Sequence, residues 1–274
     1  MRNFEYRKCT SLSEVTGLLC GESVFLLAGG TDLLVGMRGG KYSPRMILDI
    51  KDIPELKVLR EDEAGITIGA AVTLNRVERF QPVARHVPVL AKACHSVGSF
   101  SIRNRATLAG NICNASPAAD TAAALYCLGA MVNIAGPGGE RYLAIEEFFT
   151  GPGKTALENG ELVVSVLIAK PYPAGKGVYY KASRTGSVDL ATVGVAVQKR
   201  DDGIRIAVSA AAPTPVRVKA VERAVSGGMT DWNAAAALVK DDIIPITDLR
   251  GSREYRCHLA EALIRRGLAE IMEV

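Results

Sequence analysis

The sequence predicts an α+β fold in two parts. Three observations carry that reading: the first third alternates short β-like runs with glycines, a second group of strand-like runs begins near residue 175, and the helical patterns there follow the strands instead of alternating with them. A chain of 274 residues, 48% hydrophobic, forms one large or two modest domains and buries a core without metal or disulfide staples.

In chain order, residues 24–28 (VFLLA) make an apolar run of strand length that stops at Gly29–Gly30–Thr31–Asp32. Residues 46–50 (MILDI) make a second, Pro54 interrupts the chain, and alternation in 65–71 (GITIGAA) predicts a third. Val89, Leu90, Ala93 and Val97 share one face of a helix predicted over 83–97. The chain then turns polar until Ser116, as N-cap with Pro117 at the first helical position, predicts a helix over 117–128 with Asp120 in or near its first turn. Segment 170–177 (KPYPAGKG) is the natural boundary between two domains. Beyond it, 178–183, 192–199 and 204–211 read as a three-stranded antiparallel sheet, the last two strands flanking an Asp201–Asp202–Gly203 hairpin signal. Thr214–Pro215 opens a helix ending near Gly227–Gly228, Asp231 caps an alanine-rich one, and Ser252 caps a last one with Tyr255, Leu259, Ala262 and Leu263 on one face.

Composition removes several function classes. A net charge of +4, with no run of Lys and Arg interleaved with aromatics, gives no nucleic-acid footprint. The longest uncharged stretch, 121–139, contains Asn133, Pro137 and several glycines, too few apolar residues for a transmembrane segment, and reads as a buried element. The opening MRNFEYRKCT lacks the apolar region of a secretory signal. Six scattered cysteines with no CxxC pair, and three unclustered histidines, argue against a metal or iron–sulfur site formed by this chain alone and point to a reducing, cytoplasmic compartment. GPGKT at 151–155 is no phosphate-binding P-loop, because Phe148 stands where that pattern needs glycine. GxGxxG and GxSxG are absent, and the histidines have no paired carboxylate for a triad.

Two segments remain, LLAGGTDL (26–33) and TLAGNI (107–112). Each pairs an apolar approach with a glycine turn and a small hydroxyl or amide side chain. Successive backbone N–H groups at such a turn can bind a diphosphate without Lys or Arg, and glycine lets the backbone approach the phosphate oxygens. Taken alone, each is a weak signal, since Gly–Gly at a strand end usually makes only a turn.

Together with their surroundings they are specific. AGGTDLLVGMRGG (28–40), PRMILDI (44–50), ITIGAAVT (66–73), IRNRATLAGNICNASPAAD (102–120) and YKASRTGSVDLATVGVA (180–196) resemble, in order and over nearly the whole chain, the flavin subunit of the xanthine dehydrogenase and carbon monoxide dehydrogenase family of molybdenum hydroxylases. The resemblance implies a two-part, PCMH-type FAD-binding domain over 1–172, with subdomains of about 1–54 and 55–172, and a small α+β C-terminal domain over 176–274. It assigns the first diphosphate loop to Leu27, Ala28, Gly29, Gly30, Thr31, Asp32 and Leu33, and the second to Thr107, Leu108, Ala109, Gly110 and Asn111. Asp120 matches an aspartate that contacts the cofactor, Val97 a position beside the isoalloxazine ring, Val163 a residue that closes over the cofactor by its backbone, and Lys181 a lysine near the flavin edge. Without the family, Val97 and Val163 read as core and Lys181 as solvated.

The resemblance also implies an electron-transfer subunit. FAD is bound on this chain, the molybdenum cofactor on a large partner subunit and [2Fe–2S] clusters on a small one, with NAD⁺ or a quinone as electron acceptor. No acid, base or nucleophile is then required of this chain. Cys9 stands where the family usually has proline, and the cluster-binding insertion of some relatives is absent. Two rival readings are a self-contained flavin oxidase of the vanillyl-alcohol-oxidase type, which needs a substrate cap with its own base, and a flavin-free scaffold subunit.

Overall fold

The computed structural model describes residues 3–186 and 188–272, so Met1, Arg2, Glu273 and Val274, the outermost residues of the two expected domains, lie outside the described residues, as does Ser187. Strands β1 (Glu5–Lys8), β2 (Val24–Leu27) and β3 (Met46–Asp49) form a parallel sheet in the order β1–β3–β2. Parallel pairing requires crossovers, supplied by α1 (Leu12–Leu19) and α2 (Leu33–Arg38). The turn between β2 and α2 is the first glycine loop.

A second, antiparallel sheet runs β4–β5–β10–β6–β7, from β4 (Leu59–Glu61), β5 (Gly65–Gly69), β6 (Met131–Gly136), β7 (Gly139–Ala144) and β10 (Leu162–Ala169). Between β5 and β6 lie α3 (Leu74–Arg79), α4 (Gln81–His86), α5 (Pro88–His95), α6 (Phe100–Arg103), α7 (Leu108–Cys113) and α8 (Asp120–Leu128). After β7 come α9 (Ile145–Phe148) and the small hairpin β8 (Phe149–Gly151) and β9 (Lys154–Thr155).

Two helix predictions are corrected here. The helix expected over 83–97 is two helices, because Pro88 has no N–H to continue α4 and instead occupies the first position of α5; Val97 therefore lies beyond the α5 cap. The helix expected from residue 117 begins at Asp120. Ser116 Oγ accepts from Ala118 N–H at 3.2 Å, and its carbonyl accepts from Ala119 N–H at 3.0 Å, so the serine closes a tight turn before the helix. Asp120 does fall in the first turn.

The C-terminal part is a sheet of β11 (Gly177–Ala182), β12 (Val193–Arg200), β13 (Gly203–Ser209) and β14 (Val216–Arg217), with α10 (Lys219–Ser226), α11 (Trp232–Ala237) and α12 (Arg253–Met272). The hairpin forms as the sequence indicates, with Arg200 opposite Gly203, whose φ is +127°. Asp231 caps α11 through Oδ1, which accepts from Asn233 and Ala234 N–H. Ser252 Oγ accepts from Tyr255 N–H at 3.2 Å. The sheet has four strands, not three: residues after Pro215 first pair with β13 as β14, and the helix starts only at Lys219.

Both faces of this sheet are buried, which places everything that follows. Val193, Val195 and Val197 of β12 join Val178, Ile206 and Val208 in a core under α12. The alternate positions Ala196 and Ala207, with Tyr179, join the larger core that contains α8. Small alanines let α8 lie close against β12 and β13, and all nine α8 residues are buried. That two-sided burial explains why 121–128 carries no charge.

The buried stripe of α12 is Arg256, Ala260, Ile264, Gly267, Leu268 and Ile271, whereas Tyr255 is exposed, so the face predicted from Tyr255 is corrected by one position. An arginine was an unexpected member. Its Nη1 donates to Thr192 O and Ala210 O, both at 2.7 Å, and Nη2 to Asp248 Oδ1 at 2.6 Å, so its charge is matched. Arg256→Met is expected to cost about 2 kcal/mol, read as a lower urea midpoint, because two buried carbonyls lose their donor.

Candidate functional site

The two glycine loops, nearly eighty residues apart in sequence, meet back to back. A Cβ on Gly29 would lie 2.1 Å from Arg105 O and 2.9 Å from Ala106 Cα, so the first loop rests on the backbone that leads into the second. Gly30 has φ +77°, a conformation that glycine adopts without strain. Asn114 Nδ2 donates to Asp32 Oδ1 at 3.4 Å, a second tie between the loops. The second segment is not the glycine turn expected from sequence: Gly110 lies inside helix α7, because Thr107 caps that helix and its Oγ1 accepts from Gly110 N–H at 2.9 Å. Among the described residues, the backbone N–H groups of Gly29, Gly30, Thr31, Asp32 and Leu33 have no protein acceptor.

The second feature spans the two parts of the chain. Asp120, at the start of α8, accepts from Tyr179 Oη at 2.9 Å on Oδ1 and from Lys181 Nζ at 2.9 Å on Oδ2. Lys181 Nζ also donates to Ser96 O at 3.0 Å. The side chains of Lys181 and Asp120 are only 8% and 7% exposed, which makes this a buried ion pair. Burial pushes the Asp120 carboxyl above its ordinary range, and Lys181 and the hydroxyl of Tyr179 oppose that rise. Asn111 connects the pair to the second loop, since its Oδ1 accepts from Thr121 Oγ1 at 2.6 Å.

Lys181 also lines a cavity of about 460 Å³, with Ser96, Gly98, Phe100, Arg103 and Val188 among its other walls. This volume lies in the range of small-molecule and cofactor pockets. Among the described residues no group of His, Cys, Asp or Glu could hold a metal ion, and no helix is long and apolar enough to cross a membrane.

Residues 2–171 match the family described as the FAD binding domain in molybdopterin dehydrogenase, and residues 178–271 match the CO dehydrogenase flavoprotein C-terminal domain. The chain belongs to the FAD-binding subunits of the molybdopterin dehydrogenases. It is 31% identical to the xanthine dehydrogenase FAD-binding subunit of Escherichia coli O157:H7, over 97% of this chain and 94% of that one. It is 32% identical to the carbon monoxide dehydrogenase medium chain of Hydrogenophaga pseudoflava, over 97% of this chain and 96% of the other. A solved structure of carbon monoxide dehydrogenase from Hydrogenophaga pseudoflava, in a form lacking the Mo-pyranopterin moiety of the molybdenum cofactor, matches with a TM-score of 0.92 at 32% identity, covering 99% of this chain and 98% of that chain.

The residues of this FAD subunit fit the group the family binds. FAD brings an anionic diphosphate, and unpaired amides at a glycine loop are donors for it that need no basic side chain. Of the positions singled out from sequence, 27–33 meet the residues on either side of 107–111, namely Arg105, Ala106 and Asn114, and Asp120 and Lys181 form one pair. Val97 is half-buried between the cavity-wall residues Ser96 and Gly98. Val163 stands apart: it is 4% exposed in β10, before a bulge, and among the described residues no hydrogen bond joins its side of the sheet to the Asp120–Lys181 pair. Lys181 is not solvated, as its residue type alone suggested, because β11 is covered on the α8 side.

Sequence reasoning missed two residues of this FAD subunit. Arg103, 7% exposed, donates from Nη1 to Val97 O and Gly98 O at 3.1 Å each and from Nε to Asn75 Oδ1 at 3.2 Å, so it shapes the backbone around Val97. Its signal was present, since it lies inside the block IRNRATLAGN. Tyr179 is the other, and only its spacing of two from Lys181 in a strand could have found it.

Proposed function

We propose that this chain takes electrons from [2Fe–2S] clusters of a small partner subunit, reduced in turn by a large subunit carrying the molybdenum cofactor, and passes them to NAD⁺ or another acceptor such as a quinone. Residues 27–33 and 107–111 hold the FAD diphosphate, Asp120 contacts the cofactor, Val97 lies beside the isoalloxazine ring and Lys181 near the flavin edge, and Val163 closes over the cofactor by its backbone. Bound FAD supplies the redox chemistry. The chain supplies amide donors, a fixed ion pair and a pocket, and none of these residues needs to act as a general acid or base. On this reading 1–172 carries the cofactor and 176–274 closes its site through Tyr179 and Lys181.

The observation that carries the reading is the row of unpaired amides at 29–33, in a turn that packs on the backbone leading into the second segment. Six free cysteines suit a reducing compartment such as the cytoplasm. The test is reconstitution with excess FAD followed by gel filtration. About one flavin per chain should co-elute by absorbance, and a colourless protein peak would end the proposal. Flavin that co-elutes, but is not reduced when the cluster-bearing partner is supplied in reduced form, would remove the electron-transfer role while keeping the cofactor.

A further inference from the structure

We propose that Tyr179 is a positioning residue of the flavin site, orienting the Asp120 carboxylate that seats Lys181; this rests on the flavin reading above. Tyr179 and Lys181 are two residues apart in β11 and so face the same side, toward α8. Each takes one oxygen of Asp120, at 2.9 Å. A carboxylate held through both oxygens by two different donors cannot rotate without losing one of them. Removal of the hydroxyl leaves Oδ1 buried without this donor, free to swing and carry Lys181 away from Ser96 O.

The surroundings argue that the hydroxyl matters as well as the ring. Tyr179 lies opposite Ala196 and is 7% exposed, so a phenylalanine would fill the same space against the small side chain. Gly194 lies opposite Lys181 and next to Ser209. A Cβ on Gly194 would sit 2.8 Å from Tyr179 Oη and 2.4 Å from Ser209 Oγ, so the sheet leaves room for the oxygen by having no side chain there. Burial raises the Tyr179 phenol well above its ordinary value, which keeps it a proton donor to Asp120 throughout the working pH range.

The experiment is a double-mutant cycle on the full chain, with FAD as the probe and its dissociation constant read from flavin fluorescence. Tyr179→Phe is expected to weaken FAD binding about tenfold, a hydrogen bond to a charged group being at stake. In an Asp120→Ala background the same change is expected to alter the constant by less than about twofold, because the hydroxyl acts only through the carboxylate. Unchanged binding by Tyr179→Phe, or an equal loss in both backgrounds, overturns the proposal in favour of a packing role. If Tyr179→Phe does not fold, Gly194→Ala, whose methyl displaces the hydroxyl and leaves the ring, is expected to give the same tenfold loss, and wild-type affinity there overturns the proposal too. Wild-type chain that binds no FAD would overturn the flavin reading itself, whereas binding by wild type that Tyr179→Phe fully retains would overturn only the role of Tyr179.

Discussion

Gly29→Ala is expected to abolish FAD binding and to destabilise the chain by about 3 kcal/mol, the upper end of what overpacking usually costs. The added methyl would meet Arg105 O at 2.1 Å, Arg105 C at 2.7 Å and Ala106 Cα at 2.9 Å. All three are backbone atoms, so no side chain can rotate away. The two segments have to separate, which displaces the unpaired amides of 29–33. Two glycines serve as controls. Gly30→Ala places its methyl 2.8 Å from Leu27 Cδ1, the end of a flexible side chain, and its main cost is the positive φ, about 1 kcal/mol. Gly138 has open space around a built Cβ and should tolerate alanine without effect. Urea unfolding and flavin absorbance of the three variants check the order, and a Gly29→Ala chain with wild-type stability would contradict the back-to-back arrangement.

Lys181→Met should cost about 3 kcal/mol at neutral pH, because removing one partner of a buried pair leaves the other charge uncompensated. The pH dependence carries a definite sign. The Asp120 carboxyl is already raised by burial, so the folded state holds its proton more tightly than the unfolded chain does. The resulting stability is fully present below the ordinary aspartate value and is lost as pH rises through the folded value. With Lys181 gone the carboxyl rises further, the loss moves toward neutral pH, and acidification relieves it by protonating Asp120. The gap in urea midpoint between wild type and Lys181→Met should therefore narrow steadily from pH 8 to pH 5. A gap that does not change with pH would mean that the pair contributes little as a charge interaction.

Local chemistry was legible where a few neighbouring residues decide the outcome. The Asp201–Asp202–Gly203 turn, the Asp231 and Ser252 caps and the apolar runs leading into Gly29–Gly30 each depend on backbone preferences within four residues, and each forms where the pattern indicates. Expectations slipped where a second local bond competed. Ser116 bonds Ala118 before α8 can start, and residues after Pro215 pair with β13 before α10 begins.

By itself, then, the sequence determined the α+β class, the Gly29–Gly30 turn and, through the order of its motif blocks, the family. Only the tertiary structure decided that Gly29 packs on Arg105, that Lys181 is buried against Asp120, that Arg103 holds the backbone at Val97 and that Tyr179 reaches Asp120. The reason is physical: a strand's residue pattern records that it is buried but not which element covers each face. The fate of Lys181 depends on α8, some sixty residues earlier, packing across β12 and β13 and bringing Asp120 to the end of the row that Tyr179 and Lys181 occupy.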